Sequence, residues 1–374
     1  MTCVLFAGGG TGGHLYPALA LGAALRAQRP DIEVHYVGAR RGVEARVLPQ
    51  QQVPHTLLPL QPIQRDRIWR NWKLGPALGA TFVGLARLFA RLRPALVVGT
   101  GGYASGPACM WAVLTAIPIA LQEQNSHPGF TTRMLSRFAR QVHLGFPEAA
   151  SRLRPGARTE VLALGNPIRP PDPGLDRTHC RREFGIADHA VVLLVVGGSQ
   201  GSLALNEALL GALALVYQGE LPGMPDSLEI LWATGPAHLD NVRARLAGLR
   251  DARRVHVLGY IEAMPHALAA ADVALSRAGA MATAELLAWG VPMVLVPLPT
   301  AAADHQTFNA QALAAAGAAI SIPERELTPE HLWRELLALA TDQARRVRMT
   351  TAARERARPD AARDIARALL RLVA

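Results

Sequence analysis

Seven consecutive residues near the N-terminus, Gly8-Gly9-Gly10-Thr11-Gly12-Gly13-His14, are the first in the chain whose types and spacing suit chemistry. They follow an apolar run, Val4-Leu5-Phe6-Ala7, and precede a helix predicted over Tyr16 to Ala27. Glycines let backbone N–H groups approach an anion, and a helix start adds partial positive charge. A phosphate-bearing ligand fits this run better than a turn that merely packs helix on sheet. His14, at the helix start, has the chemistry of a general base or a phosphate ligand. A dinucleotide fingerprint wants an acidic residue about 20 residues further on. Here the second strand, Val34 to Val37, runs into Gly38 and then Arg40 and Arg41. That argues against NAD and leaves NADP open. No Gly-Lys-Ser/Thr follows, so the loop is not a P-loop.

A second loop of the same build, Gly197-Gly198-Ser199-Gln200-Gly201, follows the continuous apolar run Val191 to Val196. Such a run suits a parallel strand buried on both faces. Further strands are predicted at Ala95 to Val98, Ile117 to Gln122, Ile230 to Trp232, Val255 to Val257, Val273 to Leu275 and Met293 to Val296. Helical segments alternate with them, which implies parallel sheets covered on both faces. Leu162 to Pro173 breaks the pattern with Gly165-Asn166-Pro167, Pro170, Pro171 and Pro173, and reads as an interdomain linker. An Arg/Ala-rich helical tail starts at Gln343. At 374 residues the chain exceeds what one core usually supports. The expected architecture is α/β, with two doubly wound domains in tandem and a ligand in the cleft between them, at the carboxyl ends of the strands.

The formal net charge is +10, and Lys73 is the only lysine. A general preference for arginine explains the ratio but not the sign. A positive balance suits phosphate ligands, nucleic acid or an anionic membrane. Aromatic residues are only 5%, and no arginine-rich motif occurs, which speaks against nucleic acid. Cys3, Cys109 and Cys180 show neither a metal spacing nor a disulfide framework, which fits a reducing cytosol. The start reads as a strand with no basic n-region, so no signal peptide is expected. Ala108 to Leu121 is too short to span a bilayer and is broken by Pro118. Arg65 to Arg93 mixes Arg65, Arg67, Arg70 and Lys73 with Ile68, Trp69 and Trp72, and suits an anionic bilayer surface. Leu74, Leu78, Phe82 and Leu85 follow at helical spacing and fit either that surface or a buried helix face.

Six motifs in one order resemble the bacterial MurG transferases of glycosyltransferase family 28. They are Gly9 to His14, Gly101-Gly102-Tyr103-Ala104-Ser105-Gly106-Pro107, Gln122-Glu123-Gln124-Asn125, Gly165-Asn166-Pro167-Ile168-Arg169, Gly197 to Gly201, and Asp304-His305-Gln306. The similarity runs from about residue 4 to residue 320. It implies a GT-B fold, two Rossmann-like domains facing across a cleft. An acceptor- and membrane-binding domain would span 1–165, and a UDP-N-acetylglucosamine-binding domain 166–349. The tail from about 350 to 374 would pack back on the first domain. The implied reaction is inverting transfer of N-acetylglucosamine from UDP-N-acetylglucosamine to undecaprenyl-linked lipid I, giving lipid II. It would take place at the cytoplasmic face of the plasma membrane, with the enzyme held peripherally and cell-wall synthesis proteins as partners.

The resemblance also assigns residues. Ser199 would meet the donor pyrophosphate, and Arg169 would approach phosphate. Ile261 matches a uracil contact. Ala280, Met281, Ala282, Thr283 and Ala284 would present helix-start amides to the diphosphate, Glu285 would accept both ribose hydroxyls, and Gln306 would read the sugar. The family's Ser-Gly-Ala-Leu-Thr is here Ala278-Gly279-Ala280-Met281-Ala282, so the hydroxyl at 282 is missing while Thr283 stands beside it. Thr11, Gly12, Gly13 and Asn125 match donor or cleft contacts, and the first glycine loop with Gly101-Gly102 would cradle the acceptor pyrophosphate. His14 is the first candidate for the general base and Glu123 the second. No Asp-x-Asp pair occurs, so neither a metal nor another cofactor is expected.

Rival readings are a lipid galactosyltransferase or a UDP-N-acetylglucosamine 2-epimerase with the same donor half, and a nucleotide-sugar-binding protein without catalysis. The Gly101 to Pro107 run and the basic segment favour the lipid acceptor. The double substitution Trp69→Ala with Trp72→Ala is expected to weaken binding to anionic vesicles in a flotation assay without unfolding the protein. Unchanged vesicle binding would contradict it.

Overall fold

The computed structural model describes residues 2–61, 74–249 and 252–373. Trp69 and Trp72, with the basic cluster Arg65 to Lys73, lie outside the described residues. The chain divides into two compact units, one formed by 1–169 with 358–374 and the other by 170–357.

The first unit runs β1 (Cys3–Gly8), α1 (Gly12–Gln28), β2 (Glu33–Ala39), α2 (Glu44–Gln50), β3 (His55–Leu58) and α3 (Leu74–Leu92). It continues through β4 (Leu96–Gly101), α4 (Ser105–Leu114), β5 (Ile119–Glu123), α5 (Phe130–Leu135), β6 (Gln141–Leu144) and β7 (Glu160–Leu162). All its strand pairs are parallel, in the order β3-β2-β1-β4-β5-β6-β7. The second unit runs α6 (Arg177–Glu183), β8 (Val191–Val196), α7 (Leu203–Gln218), β9 (Leu228–Ala233), α8 (Leu239–Ala247), β10 (Val255–Leu258) and α9 (Met264–Ala270). Then come β11 (Val273–Ser276), α10 (Ala280–Trp289), β12 (Met293–Leu295), α11 (His305–Ala315), β13 (Ala319–Ser321), α12 (Pro329–Thr341) and α13 (Gln343–Arg356). Its sheet is also parallel, in the order β10-β9-β8-β11-β12-β13. A last helix, α14 (Ala361–Leu370), returns to the first unit and packs on α1.

Both sheets reverse their strand order once, between β1 and β4 and between β8 and β11. Ligands of doubly wound sheets bind at such reversals, beyond the carboxyl ends of the strands. The two glycine loops therefore follow the two strands that matter most, β1 and β8. The buried runs explain why: Val192 to Val195 and Val4 to Ala7 are covered on both faces, as central parallel strands must be.

Several elements differ from the sequence reading. The tail that begins at Gln343 is two helices, because Pro359 cannot continue α13. α13 stays with the second unit, against α10 and α12, and the chain rejoins the first unit only at Arg358. The proline-rich stretch from Leu162 is not a free linker at its start. Asn166 is buried; it accepts from Gln122 Nε2 at 3.2 Å and donates to the Gln124 carbonyl at 3.0 Å. Leu85 is fully buried on the sheet, a contribution of about 1.5–3 kcal/mol, so it belongs to the core rather than to a surface. Phe82 is half-buried, its ring centroid 5.8 Å from that of Trp111. Leu78 and Val83 are exposed.

His143 on β6 is fully buried, and neither ring nitrogen has a hydrogen-bond partner among the described residues. Burial, with a smaller push from Arg371, brings its pKa down to about 3. His35 is brought down to about 4 by burial, then by Arg91 and His55. Both fold as neutral rings, while in the unfolded chain a histidine titrates near 6.5, about its ordinary value. The stability they contribute is therefore complete above about pH 6.5 and is lost as the pH falls toward about 3–4. The melting temperature is expected to drop across that window. Replacing His143→Leu is expected to flatten the drop and to add about 1–2 kcal/mol at pH 7, because an unsatisfied polar side chain is removed. Urea unfolding at pH 7 and pH 5 checks both; a destabilised variant with an undiminished pH slope contradicts them.

Candidate functional site

At the reversal of the first sheet, Thr11 caps α1 in an extended conformation (φ −139°, ψ 160°) without a side-chain bond to the helix amides. Its hydroxyl lies instead 3.0 Å from His14 Nδ1. The N–H groups of Gly12 and Gly13 have no acceptor among the described residues and open the helix toward an anion. The end of β4 closes on this loop. Gly101 and Gly102 have φ of +99° and +75°, so glycine is needed for conformation alone. It is needed for space as well. A Cβ at Gly101 would stand 2.6 Å from His14 Cδ2, and one at Gly102 would stand 2.0 Å from the Gly9 carbonyl oxygen. His14 is thus laid against a wall of backbone. Buried Thr100 donates to the His14 carbonyl at 2.8 Å, and buried Gln124 donates to the Thr100 carbonyl at 2.8 Å.

Glu123 ends β5 and is buried. Its oxygens accept from the N–H of Asn125 at 3.1 Å, the Asn125 side-chain amide at 3.4 Å and the N–H of Gly129 at 2.9 Å, with Thr132 as a further donor. Burial pushes its pKa up, against those hydrogen bonds, which pull it down. The carboxyl group is thereby committed to folding the loop that carries half-buried Asn125. Arg169, at the end of the first unit, is exposed and has no ion pair among the described residues.

The second unit repeats the plan. Ser199 is exposed in the loop after β8. Gly201 and Gly235 adopt φ of +75° and +92°, and a Cβ on either would reach within 1.9 Å of the Thr234 carbonyl or 2.2 Å of the Gln200 carbonyl. Buried Asn206 on α7 fixes this packing: it donates to the Thr234 carbonyl at 2.9 Å and accepts from Trp232 Nε1 at 3.0 Å. At the other side of the reversal, α10 begins after Gly279 with no capping side chain and no acid in its first turn. The hydroxyl of buried Thr283 turns back to the Gly279 and Ala280 carbonyls at 3.0 and 3.1 Å, so what the segment Ala280 to Ala284 offers a ligand is main chain.

Glu285 follows in the next turn. It is half-buried, has no hydrogen bond or ion pair among the described residues, and burial pushes its pKa up to about 7. Ile261, in the loop after β10, buries its side chain, while its main-chain N–H and C=O make no hydrogen bond among the described residues. Gln306 opens α11, and its Oε1 accepts from the Leu298 N–H at 3.0 Å, leaving its NH₂ as the group to present. Just before it, Ala303 and Asp304 both sit at positive φ (+53° and +54°), a strained pair in a loop that has no glycine to relieve it. Buried Asn309 ties α11 to the α10 loop through the Ala278 carbonyl at 3.1 Å.

Sequence reasoning missed Glu44, Thr100, Asn206 and Asn309, and named Gln124 only within a motif, without a role. Asn206 had a signal, a polar residue in a mostly apolar helix pattern, whereas Asn309 lies among His305, Gln306, Thr307 and Gln311 and had none. Glu44 had none, since it lies 34 residues from the loop it bonds. Among the described residues no group of three His, Cys, Asp or Glu is placed to hold a metal ion.

The chain matches the family 28 glycosyltransferase N-terminal domain over residues 4–144 and the C-terminal domain of the same family over residues 192–365. It is 41% identical, over 99% of each chain, to the UDP-N-acetylglucosamine–N-acetylmuramyl-(pentapeptide) pyrophosphoryl-undecaprenol N-acetylglucosamine transferase of Moorella thermoacetica. It is 40% identical to the Salinibacter ruber protein of that name, over 99% of this chain and 96% of the relative. The crystal structure of Acinetobacter baumannii MurG matches with a TM-score of 0.77 and 30% identity, covering 99% of this chain and 100% of the other.

Replacing Asn206→Ala is expected to leave Trp232 Nε1 and the Thr234 carbonyl unpaired in the core, costing about 2–4 kcal/mol for two buried groups. Urea unfolding checks this; a loss below about 0.5 kcal/mol, the level of an ordinary surface change, would contradict it.

Proposed function

The chain belongs to glycosyltransferase family 28, and from that premise we infer the reaction it performs. It transfers N-acetylglucosamine from UDP-N-acetylglucosamine to the C4 hydroxyl of the muramyl residue of lipid I, with inversion, giving lipid II for peptidoglycan synthesis. The observation that carries the reading is the start of α10, where helix amides without a capping side chain lead to Glu285, a carboxyl group with no partner among the described residues. A nucleoside diphosphate has the complementary parts, an anion next to a pair of ribose hydroxyls.

In the second unit the donor diphosphate lies against the amides of Met281 and Ala282 and the loop at Ser199, and those amides meet the charge of the departing UDP. Glu285 accepts the two ribose hydroxyls. Uracil is read by the main chain of Ile261, since the side chain is buried, and the Gln306 NH₂ meets a sugar hydroxyl. In the first unit the amides of Gly12 and Gly13 hold the acceptor diphosphate. His14 takes the proton from the acceptor hydroxyl as that oxygen attacks the anomeric carbon and the bond to UDP breaks. Glu123 is a positioning group here, because its oxygens are occupied by the loop it folds, and it orients Asn125 beside the sugar.

The acceptor is a lipid, and the first unit supplies a surface for it. α3, α4 and α5 pack side by side and expose Leu78, Val83, Met110, Leu114, Phe130 and Met134 beside Arg87, Arg133 and Arg137. No helix among the described residues is long and apolar enough to cross a membrane. This face therefore meets the anionic cytoplasmic surface of the plasma membrane peripherally.

The direct test is incubation of purified protein with UDP-N-acetylglucosamine and a short-chain lipid I analogue, with product identified by mass spectrometry. A disaccharide lipid and stoichiometric UDP are expected; free UDP with no new lipid would contradict the acceptor assignment. Because Glu285 must be ionised to accept two hydroxyls, the donor KM is expected to rise as the pH falls below about 7. Glu285→Gln is expected to remove that pH dependence. Glu285→Ala is expected to raise the donor KM about 10–100-fold, the size of a charged hydrogen-bond pair. Steady-state kinetics between pH 6 and pH 8.5 decide it, and a donor KM indifferent to both substitutions would contradict the role.

A further inference from the structure

The first glycine loop already holds an anion, and it belongs to the protein. Glu44, at the start of α2, is fully buried and accepts bidentately from the Gly10 N–H at 3.1 and 2.9 Å and from the Ala39 N–H at 2.8 Å. The chain is shaped around this carboxylate. A Cβ at Gly9 would stand 2.3 Å from one of its oxygens, one at Gly42 would stand 2.2 Å away, and one at Gly38 would stand 2.4 Å from its Cγ. On the far side of the loop the Tyr103 ring covers Gly10, where a Cβ would come within 2.6 Å of Cε1. No basic side chain pairs with Glu44 among the described residues. A buried carboxylate held only by amides pins those amides firmly, since leaving it unsatisfied is expensive.

What Glu44 pins leads directly to His14. Gly10 turns at φ +89° into Thr11, whose hydroxyl lies 3.0 Å from His14 Nδ1. The neighbouring Gly9 carbonyl packs on Gly102, the residue whose Cβ would stand 3.1 Å from that same Nδ1. These two supports of the imidazole begin at the turn Glu44 fixes. We propose that Glu44 is the positioning residue for His14: by filling the head of the glycine loop with a fixed carboxylate, it sets the ring's orientation and leaves the Gly12 and Gly13 amides for the acceptor diphosphate. The proposal rests on the reading of His14 as the base.

The experiment compares kcat and both KM values, with thermal melts, for the parent, Glu44→Gln, His14→Ala and the double variant. Glu44→Gln keeps the shape but places an NH₂ against the Gly10 N–H. Its kcat is expected to fall about 10–100-fold, as a misplaced catalytic group costs, with the donor KM within about twofold and a cooperative melt. The double variant is expected to match His14→Ala within about twofold, because Glu44 acts only through His14. A Glu44→Gln kcat at the parent value, or losses that multiply in the double variant, overturns the proposal while the His14 reading stands. An unaltered kcat in His14→Ala removes the base reading and this proposal with it. Should Glu44→Gln lack a cooperative melt, Glu44→Ala with added acetate decides, since acetate supplies the one carbon and the carboxylate removed. Saturable recovery of kcat supports the proposal, and recovery of the melt with kcat still low overturns it.

Discussion

The constraint on which the rest of this structure depends is the space between main chain and main chain at the ends of three strands. A diphosphate can be met by backbone amides only where the backbone can reach it, and that requires residues without a Cβ. Gly101, Gly102, Gly201 and Gly235 satisfy the requirement twice over, by positive φ and by contacts that no side chain would permit. They lie beyond β4, β8 and β9, at or next to the reversals in strand order, where a doubly wound sheet leaves a crevice. The apolar runs of β1 and β8 exist to hold these loops at the sheet's edge, and the buried amides of Gln124, Asn166, Asn206 and Asn309 exist to keep them from drifting.

Three glutamates show how one side chain takes three roles from its surroundings. Glu44 is enclosed by glycines and bonded to amides, so it behaves as a fixed internal anion. Glu123 is nearly as enclosed, yet its donors come from the following loop and from Thr132 on α5, so it fixes the shape of that loop. Glu285 has no donor among the described residues, and burial lifts its pKa to about 7. An unsatisfied, partly buried carboxyl group beside open helix amides is costly unless a ligand completes it, and it is the environment in which a perturbed group marks function.

Much of this was legible in the chain, and the remainder was hidden for physical reasons. The run Val191 to Val196 coincides with β8 to the residue, because a strand buried on both faces admits nothing polar. The family and its reaction followed from six ordered motifs, and the two-sheet α/β fold agrees with them. The short strands β3, β6, β7 and β13 were not foreseen: three or four residues with a polar member, such as Gln141 and His143 in β6, carry no periodicity. Glu44 escaped because the search for an acidic partner looked to the end of β2, as a ribose contact would require, whereas this carboxylate comes from the helix beyond and bonds the loop itself. Leu85 and Leu78 share one helix, and only the packing of α3 on the sheet separates core from surface.

The central claim is that the donor's diphosphate is held by the main chain. Isothermal titration of UDP into the protein, first in EDTA and then with excess Mg²⁺, tests it most directly. One dissociation constant is expected under both conditions, within about twofold, since backbone amides need no ion to bind phosphate oxygens. Binding that is absent in EDTA and appears only with the metal would contradict it.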